Sequence, residues 1–62
     1  MIRVLIVEDQ AILRESLARS VGDQPDMTVV SALPDASAAL GVALRERTDM
    51  LLVDVCTQHD SN

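Results

Sequence analysis

Residues 2–9 read Ile-Arg-Val-Leu-Ile-Val-Glu-Asp, and this stretch decides which fold class the chain can adopt. Apart from Arg3, its first six residues are apolar without alternation and rich in β-branched side chains. A strand of this composition is typical of a parallel sheet that is covered by helices on both faces. Two adjacent acids, Glu8 and Asp9, follow at once. The sequence therefore predicts a pair of carboxylates at the carboxyl end of a buried strand.

Two amphipathic helices are predicted between the strands. The first begins near Gln10 and ends at Gly22, because a C-terminal glycine with a proline just beyond it stops a helix. Arg14 is expected to point away from its core face. The second helix begins after Asp35, a suitable N-cap, and ends near residues 47–48. The residues expected to face the core share helical spacing and are Leu13, Leu17 and Val21 in the first helix and Ala36, Leu40, Ala43 and Leu44 in the second.

The remaining patterns complete an α/β order of strand, helix, strand, helix, strand. Residues 27–32 predict a second strand at a sheet edge, and residues 50–55 predict a third, buried strand that contains Asp54. Since crossovers of this kind are right-handed and give parallel pairing, we expect a three-stranded parallel sheet of order 2-1-3. The strand order then reverses between strands 1 and 3, which is where open α/β sheets bind ligands.

Three carboxylates are expected to meet at this reversal. Neighbouring strands lie about 4.8 Å apart, so Glu8 and Asp9 after strand 1 would share one rim with Asp54 at the end of strand 3. Like charges so close repel, and a hard divalent cation relieves the repulsion. An all-oxygen site with room for water favours Mg²⁺, and a carboxylate at such a site can attack phosphorus to form an aspartyl phosphate.

Composition restricts the classes of protein further. The chain has 62 residues, of which 48% are hydrophobic and none is aromatic, so it can form at most one small domain or part of one. Its net charge of −5 argues against direct binding to nucleic acid or to an anionic membrane. The single cysteine, Cys56, excludes an internal disulfide, and the opening apolar run is too short for a signal peptide or a membrane span. We expect a cytoplasmic location.

Three features together resemble the receiver domain of bacterial two-component response regulators. They are an apolar strand ending in Val7-Glu8-Asp9, a helix directly after it, and Leu51-Leu52-Val53-Asp54 at the third strand. The resemblance covers nearly the whole chain, and residues 2–17 are most similar to nitrate-regulator-like proteins with a helix-turn-helix output domain. It implies a flavodoxin-like receiver fold, of which residues 1–62 supply the β-α-β-α-β half. The rest of the domain and any output domain would lie outside these residues.

The resemblance also implies a role for individual residues. Asp54 would accept a phosphoryl group from a sensor histidine kinase, which makes the module a phosphoacceptor in signal transduction and not an enzyme. Mg²⁺ would be held by Glu8, Asp9, Asp54 and the backbone carbonyl of Cys56. Any DNA contact in transcription regulation would come through the output domain. The later hydroxyl residue and lysine of the family have no counterpart in residues 1–62, so this segment is not expected to switch by itself.

Simpler interpretations of the same residues stay open. Asp54 could cap a loop, and Glu8 with Asp9 could be a solvated helix start that the helix dipole favours. For the thiol of Cys56 a packing role is favoured, and His59 in its polar surroundings is expected to be solvated.

Three other functions are weighed beside the phosphorylated receiver. The chief alternative is a degenerate receiver that binds protein partners without phosphorylation. An aspartate-nucleophile phosphatase is disfavoured because Cys56 stands where that chemistry requires a second acid. A dinucleotide-binding or P-loop domain is disfavoured because neither Gly22 nor Gly41 lies in a strand-to-helix phosphate loop.

The third strand is expected to leave an unpaired edge. It is apolar and carries neither proline nor lysine to discourage pairing with another chain. Exposed apolar surface of this kind seldom persists in monomers. We therefore expect a homodimer of this segment, in which two copies pair their third strands.

Overall fold

The structure, a computed structural model, describes residues 1–53, and its elements follow the predicted order. The elements are strand β1 (Ile2–Val7), helix α1 (Ala11–Gly22), strand β2 (Met27–Leu33), a short 3₁₀ helix (Ala36–Ala38), helix α2 (Ala39–Arg45) and strand β3 (Met50–Val53). The predicted continuation of the third strand to residue 55 lies outside the described residues, as do Asp54, Cys56 and His59.

The three strands form one parallel sheet of order β2-β1-β3, which confirms the predicted fold class. β1 is central and pairs with β2 from Ile2 opposite Met27 to Val7 opposite Leu33. The register shifts once, after Val4, where β2 carries one extra residue. On the other side β1 pairs with β3, so that Val7 lies opposite Val53. The prediction of a buried third strand is wrong for residues 50–53, where most side chains are exposed because β3 is paired on one side only. This is the β-α-β-α-β part of a flavodoxin-like receiver fold.

The core is centred on β1 because this strand is covered on both faces. Val4, Leu5 and Ile6 are fully buried and Val7 nearly so. Alternate side chains of a strand point to opposite faces, and Leu5 and Val7 pack together with residues of α2. α1 packs chiefly against β2 and β1, with its predicted core residues half-buried. Each large side chain that is fully buried contributes about 1.5–3 kcal/mol to folding.

The buried face of α2 differs from the predicted one. Of the predicted core residues only Ala43 is partly buried, since Ala36 is exposed and Leu40 and Leu44 are each 72% exposed. The buried residues are Ala39 and Val42, which were not predicted. Both sets have helical spacing, so the sequence pattern alone fits either face. The side that packs on the sheet is the one with the smaller side chains.

The two α-helices end in different ways. Gly22 is the last residue of α1, which confirms the predicted end of this helix, although its φ is not positive. The left-handed residue instead follows α2, where Arg47 has φ 55°. The amide of Thr48 donates to the carbonyl of Ala43 at 3.0 Å and the amide of Arg47 to that of Leu44 at 3.4 Å. These two bonds form a Schellman motif with arginine at the position that glycine usually occupies.

Asp35 is confirmed as an N-cap. Its carboxylate accepts a hydrogen bond from the backbone amide of Ser37 at 2.9 Å, at the start of the 3₁₀ helix. The Ser37 hydroxyl also donates to this carboxylate, and these two hydrogen bonds hold the pKa of Asp35 below its ordinary value.

No helix in residues 1–53 is both long enough and apolar enough to cross a membrane.

Candidate functional site

The carboxyl ends of β1 and β3 lie side by side at one rim of the sheet. Val7 is paired with Val53, and each of these valines directly precedes an acid that the sequence singled out, Glu8 and Asp54. On the other side of β1 the amide of Glu8 donates to the carbonyl of Leu33 at 2.9 Å, which continues the pairing with β2 by one residue. The acid pair therefore begins where the sheet ends.

Glu8 is buried at this rim. Only 2% of its surface is exposed, and its Oε2 accepts a hydrogen bond from the amide of Gln10 at 2.9 Å. Burying a carboxylate is costly unless hydrogen bonds or cations compensate it, and the Gln10 amide supplies part of that compensation. The interpretation of Glu8 as part of a solvated helix start is therefore wrong.

Asp9 lies at the rim as well, but its side chain is exposed. The chain turns directly after it, with Gln10 in an extended conformation as the N-cap of α1 and no capping bond from the Gln10 side chain. The amino end of a helix carries partial positive charge, which favours a carboxylate nearby. Two acids thus differ in setting: Glu8 is held inside the rim and Asp9 faces solvent beside the helix start.

Arg14 is a site residue that the sequence analysis missed. It is half-buried, and its Nη1 donates to the backbone carbonyl of Glu8 at 2.9 Å. Its amide makes the first hydrogen bond of α1, to the carbonyl of Gln10 at 2.8 Å. The signal in the sequence was position: a residue one turn into a helix that follows a strand directly can reach back to the end of that strand.

The described residues supply two of the four predicted metal ligands. Glu8 and Asp9 lie at the rim, while Asp54 and Cys56 fall outside residues 1–53. Within residues 1–53 no group of three or more acidic, histidine or cysteine side chains is close enough to hold a metal ion. The donors in place are carboxylate oxygens, which are the ligands that a hard cation such as Mg²⁺ prefers, so this part of the set fits magnesium.

The opposite end of β1 carries a different set of charged residues. The Nε of Arg3 donates to the carbonyl of Glu46 at 2.7 Å, and its Nη2 lies 3.4 Å from Oε1 of the same residue. The backbone amide of Arg3 donates to Oδ2 of Asp49 at 2.9 Å, and the amide of Asp49 donates to the carbonyl of Arg3 at 2.8 Å. These contacts tie β1 to the end of α2 and the start of β3. We call them the Arg3 clamp.

Comparison with known proteins identifies relatives over most of the chain. It is 39% identical over 54 residues to a protein-glutamate methylesterase/protein-glutamine glutaminase of Chromohalobacter salexigens and 41% identical over 54 residues to that of Thiobacillus denitrificans. A third relative with this name, from Dechloromonas aromatica, is 42% identical over 53 residues. These matches cover 86–87% of the chain, which spans only about 15% of the length of each relative. No protein-family model matches the chain, and no solved structure does.

The similarity bears on the predicted family in two ways. The matched segment is a small part of each relative, and in this chain it has the β2-β1-β3 strand order and the acid pair after β1, on which the resemblance to a receiver domain rests. The relatives do not carry the name of a helix-turn-helix regulator, so the narrower nitrate-regulator-like subfamily is not supported. The sequence matches and the fold together support a receiver module of the response-regulator type.

Proposed function

We propose that this chain is the phosphoacceptor part of a receiver module, with Asp54 as the residue that is phosphorylated. A carboxylate oxygen of Asp54 would attack the phosphorus of a phosphohistidine on a sensor kinase, and the P–N bond would break as the P–O bond forms. The observation that carries the proposal is the pairing of Val7 with Val53, since it brings the residues before Glu8 and Asp54 together at the rim. The module would accept one phosphoryl group and would not act as an enzyme.

We propose further that Glu8, Asp9, Asp54 and the carbonyl of Cys56 hold Mg²⁺. A bound magnesium ion would offset the charge of the carboxylates and of the incoming phosphoryl oxygens. Glu8 is suited to a fixed position because it is buried, whereas Asp9 is open to solvent and to an arriving ion. Residues 1–62 contain neither the lysine nor the later hydroxyl residue of the family, so the segment alone should incorporate little phosphate.

The output that this module would control has two candidates. The names of the relatives favour a hydrolase that acts on glutamate esters and glutamine amides of proteins. The resemblance of residues 2–17 to helix-turn-helix regulators would imply a DNA-binding domain instead, but the names of the relatives do not support this output. In either case the module would work in the cytoplasm and would reach its output through protein contacts, since its net charge of −5 disfavours direct DNA binding.

Phosphotransfer to the full-length protein tests the proposal. With acetyl phosphate or a cognate kinase, the wild type should form a base-labile adduct, and Asp54→Asn should abolish it because an amide cannot form the acyl phosphate. Asp26→Asn is the matched control, since it removes the same charge from an exposed position. Label in the Asp54→Asn variant would place the acceptor elsewhere. A wild type that stays unlabelled with a competent donor would favour the degenerate receiver that only binds partners.

We propose, in addition, that copies of this segment associate through β3. Within residues 1–53 this strand pairs only with β1, and its Met50, Leu51 and Val53 are 42%, 51% and 43% exposed. Two copies could pair these edges antiparallel and form a six-stranded sheet of order 2-1-3-3-1-2. The exposed Leu40 and Leu44 of α2 add apolar surface that association could bury.

Light scattering on the 62-residue chain at micromolar concentration tests this association. The wild type should be dimeric, and Leu51→Lys should shift it to monomer because a lysine on the edge disfavours strand pairing. Ile12→Lys is the control, as it places the same charge on an 85% exposed apolar residue of α1, away from β3. A folded, compact monomer of the wild type would contradict the proposal.

A further inference from the structure

Three hydrogen bonds converge on Glu8 from three different directions. Its amide donates to the carbonyl of Leu33 in β2, and its carboxylate accepts from the amide of Gln10. Its backbone carbonyl accepts from Nη1 of Arg14 in α1 at 2.9 Å. Of these three bonds, only the last comes from a side chain outside the strand end and its turn, and it is the only one whose donor carries a charge.

The bond from Arg14 acts on the peptide that joins the two acids. A peptide unit is planar, so holding the carbonyl of Glu8 also fixes the amide of Asp9 and the axis about which the Asp9 backbone turns. A charged donor to a carbonyl is a stronger restraint than a neutral one. The side chain of Asp9 is exposed and is not held by packing. Its position therefore depends on the orientation of the Asp9 backbone.

We propose that Arg14 is a positioning residue, which holds the Glu8–Asp9 peptide in the orientation that places the Asp9 carboxylate for metal binding. The inference rests on the proposed magnesium site and adds a residue to it. The guanidinium of Arg14 donates to a backbone oxygen and not to a carboxylate. It can therefore order the acid pair without acting as a counter-ion to the metal-binding carboxylates. Groups that orient metal ligands in this way typically change metal affinity 10–100-fold when they are removed.

Three variants of the full-length protein separate this role from a general effect of charge. Arg14→Met keeps the length of the apolar stem but loses the donor, and Arg14→Lys keeps a charge with a different donor geometry. Arg19→Met removes the same charge from an exposed position in the last turn of α1. For each protein, Mn²⁺ and Mg²⁺ affinity is measured by titration, and exchange of the Gln10 amide is measured without metal.

Arg14→Met should weaken metal affinity about tenfold and Arg14→Lys should restore part of it, while Arg19→Met stays within about twofold of the wild type. Exchange of the Gln10 amide should rise about tenfold in Arg14→Met alone, because its bond to the Glu8 carboxylate depends on where the Glu8 backbone lies.

Several outcomes would overturn the proposal. Equal losses in Arg14→Met and Arg19→Met would show a general charge effect, and tighter binding in Arg14→Met would show that the arginine merely repels the ion. If the wild type binds no metal, the proposed magnesium site is wrong, and the exchange rates alone then decide. A selective rise in Arg14→Met would still show that Arg14 orders the Glu8–Asp9 peptide, and equal rates would refute it.

Discussion

The two ends of β1 use charged residues in opposite ways. At the amino end, the Arg3 clamp joins a cation to the acids and carbonyls around it, and the ion pairs within residues 1–53 all involve Glu46 at this end. At the carboxyl end stand two adjacent acids, and the nearby cation, Arg14, donates to a backbone carbonyl. At the amino end the charged groups bind one another and nearby carbonyls. At the carboxyl end the carboxylates are held in place at the rim where we propose that a metal ion binds.

The difference teaches where stability and function reside along the same strand. Partners at the amino end come from α2 and the start of β3, so they hold the order of the sheet. At the carboxyl end, Asp9 is exposed and can be changed at little cost to the fold. Variants at the two ends should therefore separate metal binding from stability, and the largest effect is expected at the carboxyl end.

Asp9→Ala should lower Mg²⁺ affinity in the full-length protein by about 100-fold, since losing a direct ligand costs at least as much as losing a group that orients one. The free energy of unfolding should change by less than about 0.5 kcal/mol, because the side chain is exposed. Metal titration followed by NMR and urea unfolding measure the two effects, with Asp26→Ala as control. Unchanged Mg²⁺ affinity in Asp9→Ala would show that Asp9 is not a metal ligand. The proposed contrast between the two ends of β1 would then be wrong.

Arg3→Met should have the reverse profile. It removes the bond to the Glu46 carbonyl, and we expect the free energy of unfolding to fall by about 1–2 kcal/mol. The accompanying ion pair adds little, because its side chains are 41% and 39% exposed. Urea unfolding should show a lower midpoint while Mg²⁺ affinity stays within about twofold. Arg45→Met, at a 69% exposed arginine 3.8 Å from Glu46, should have almost no effect. A fall in metal affinity would show that the two ends are coupled.

Arg47→Gly should stabilise the amino end by about 0.5–1 kcal/mol, since glycine adopts a left-handed conformation without the steric cost that arginine carries there. Thermal unfolding measures the gain. Arg47→Ala is the control and should give no such gain, because alanine retains the Cβ. If the two variants are equally stable, the left-handed conformation of Arg47 carries no steric strain, and the end of α2 does not lower the stability of the fold.

Most of the fold could be predicted from the sequence because β1 and β3 are continuous apolar runs. Such runs favour the strands of a parallel sheet, and the strand order follows from right-handed crossovers. The same pattern predicted burial correctly for β1 but not for β3, whose residues 50–53 are mostly exposed. The buried face of α2 could not be predicted in the same way. Leu40 and Leu44 form one helical stripe and Ala39, Val42 and Ala43 another, and only the position of the sheet selects between them.

The candidate site was predicted in part. The position of Glu8 and Asp9 at a strand end follows from the sequence, but the burial of Glu8 depends on how α1 starts and where its backbone amides point. The contact between Arg14 and the Glu8 carbonyl depends on a side-chain conformation, which a helical pattern does not specify. The predictions for Asp54 and Cys56 concern residues outside the described part of the chain and stay predictions.

The central place of β1 has a consequence for synthesis on the ribosome. This strand emerges first, yet both of its neighbours in the sheet come later, β2 from residue 27 and β3 from residue 50. At a synthesis rate of about 5–20 residues per second, β3 leaves the ribosome roughly 2–9 s after β1. During this interval one edge of the apolar β1 strand has no partner. Helix α1 forms far faster than this and can cover one side of the strand in the interval. The nascent chain is therefore most exposed to misassociation at the β3 side of β1.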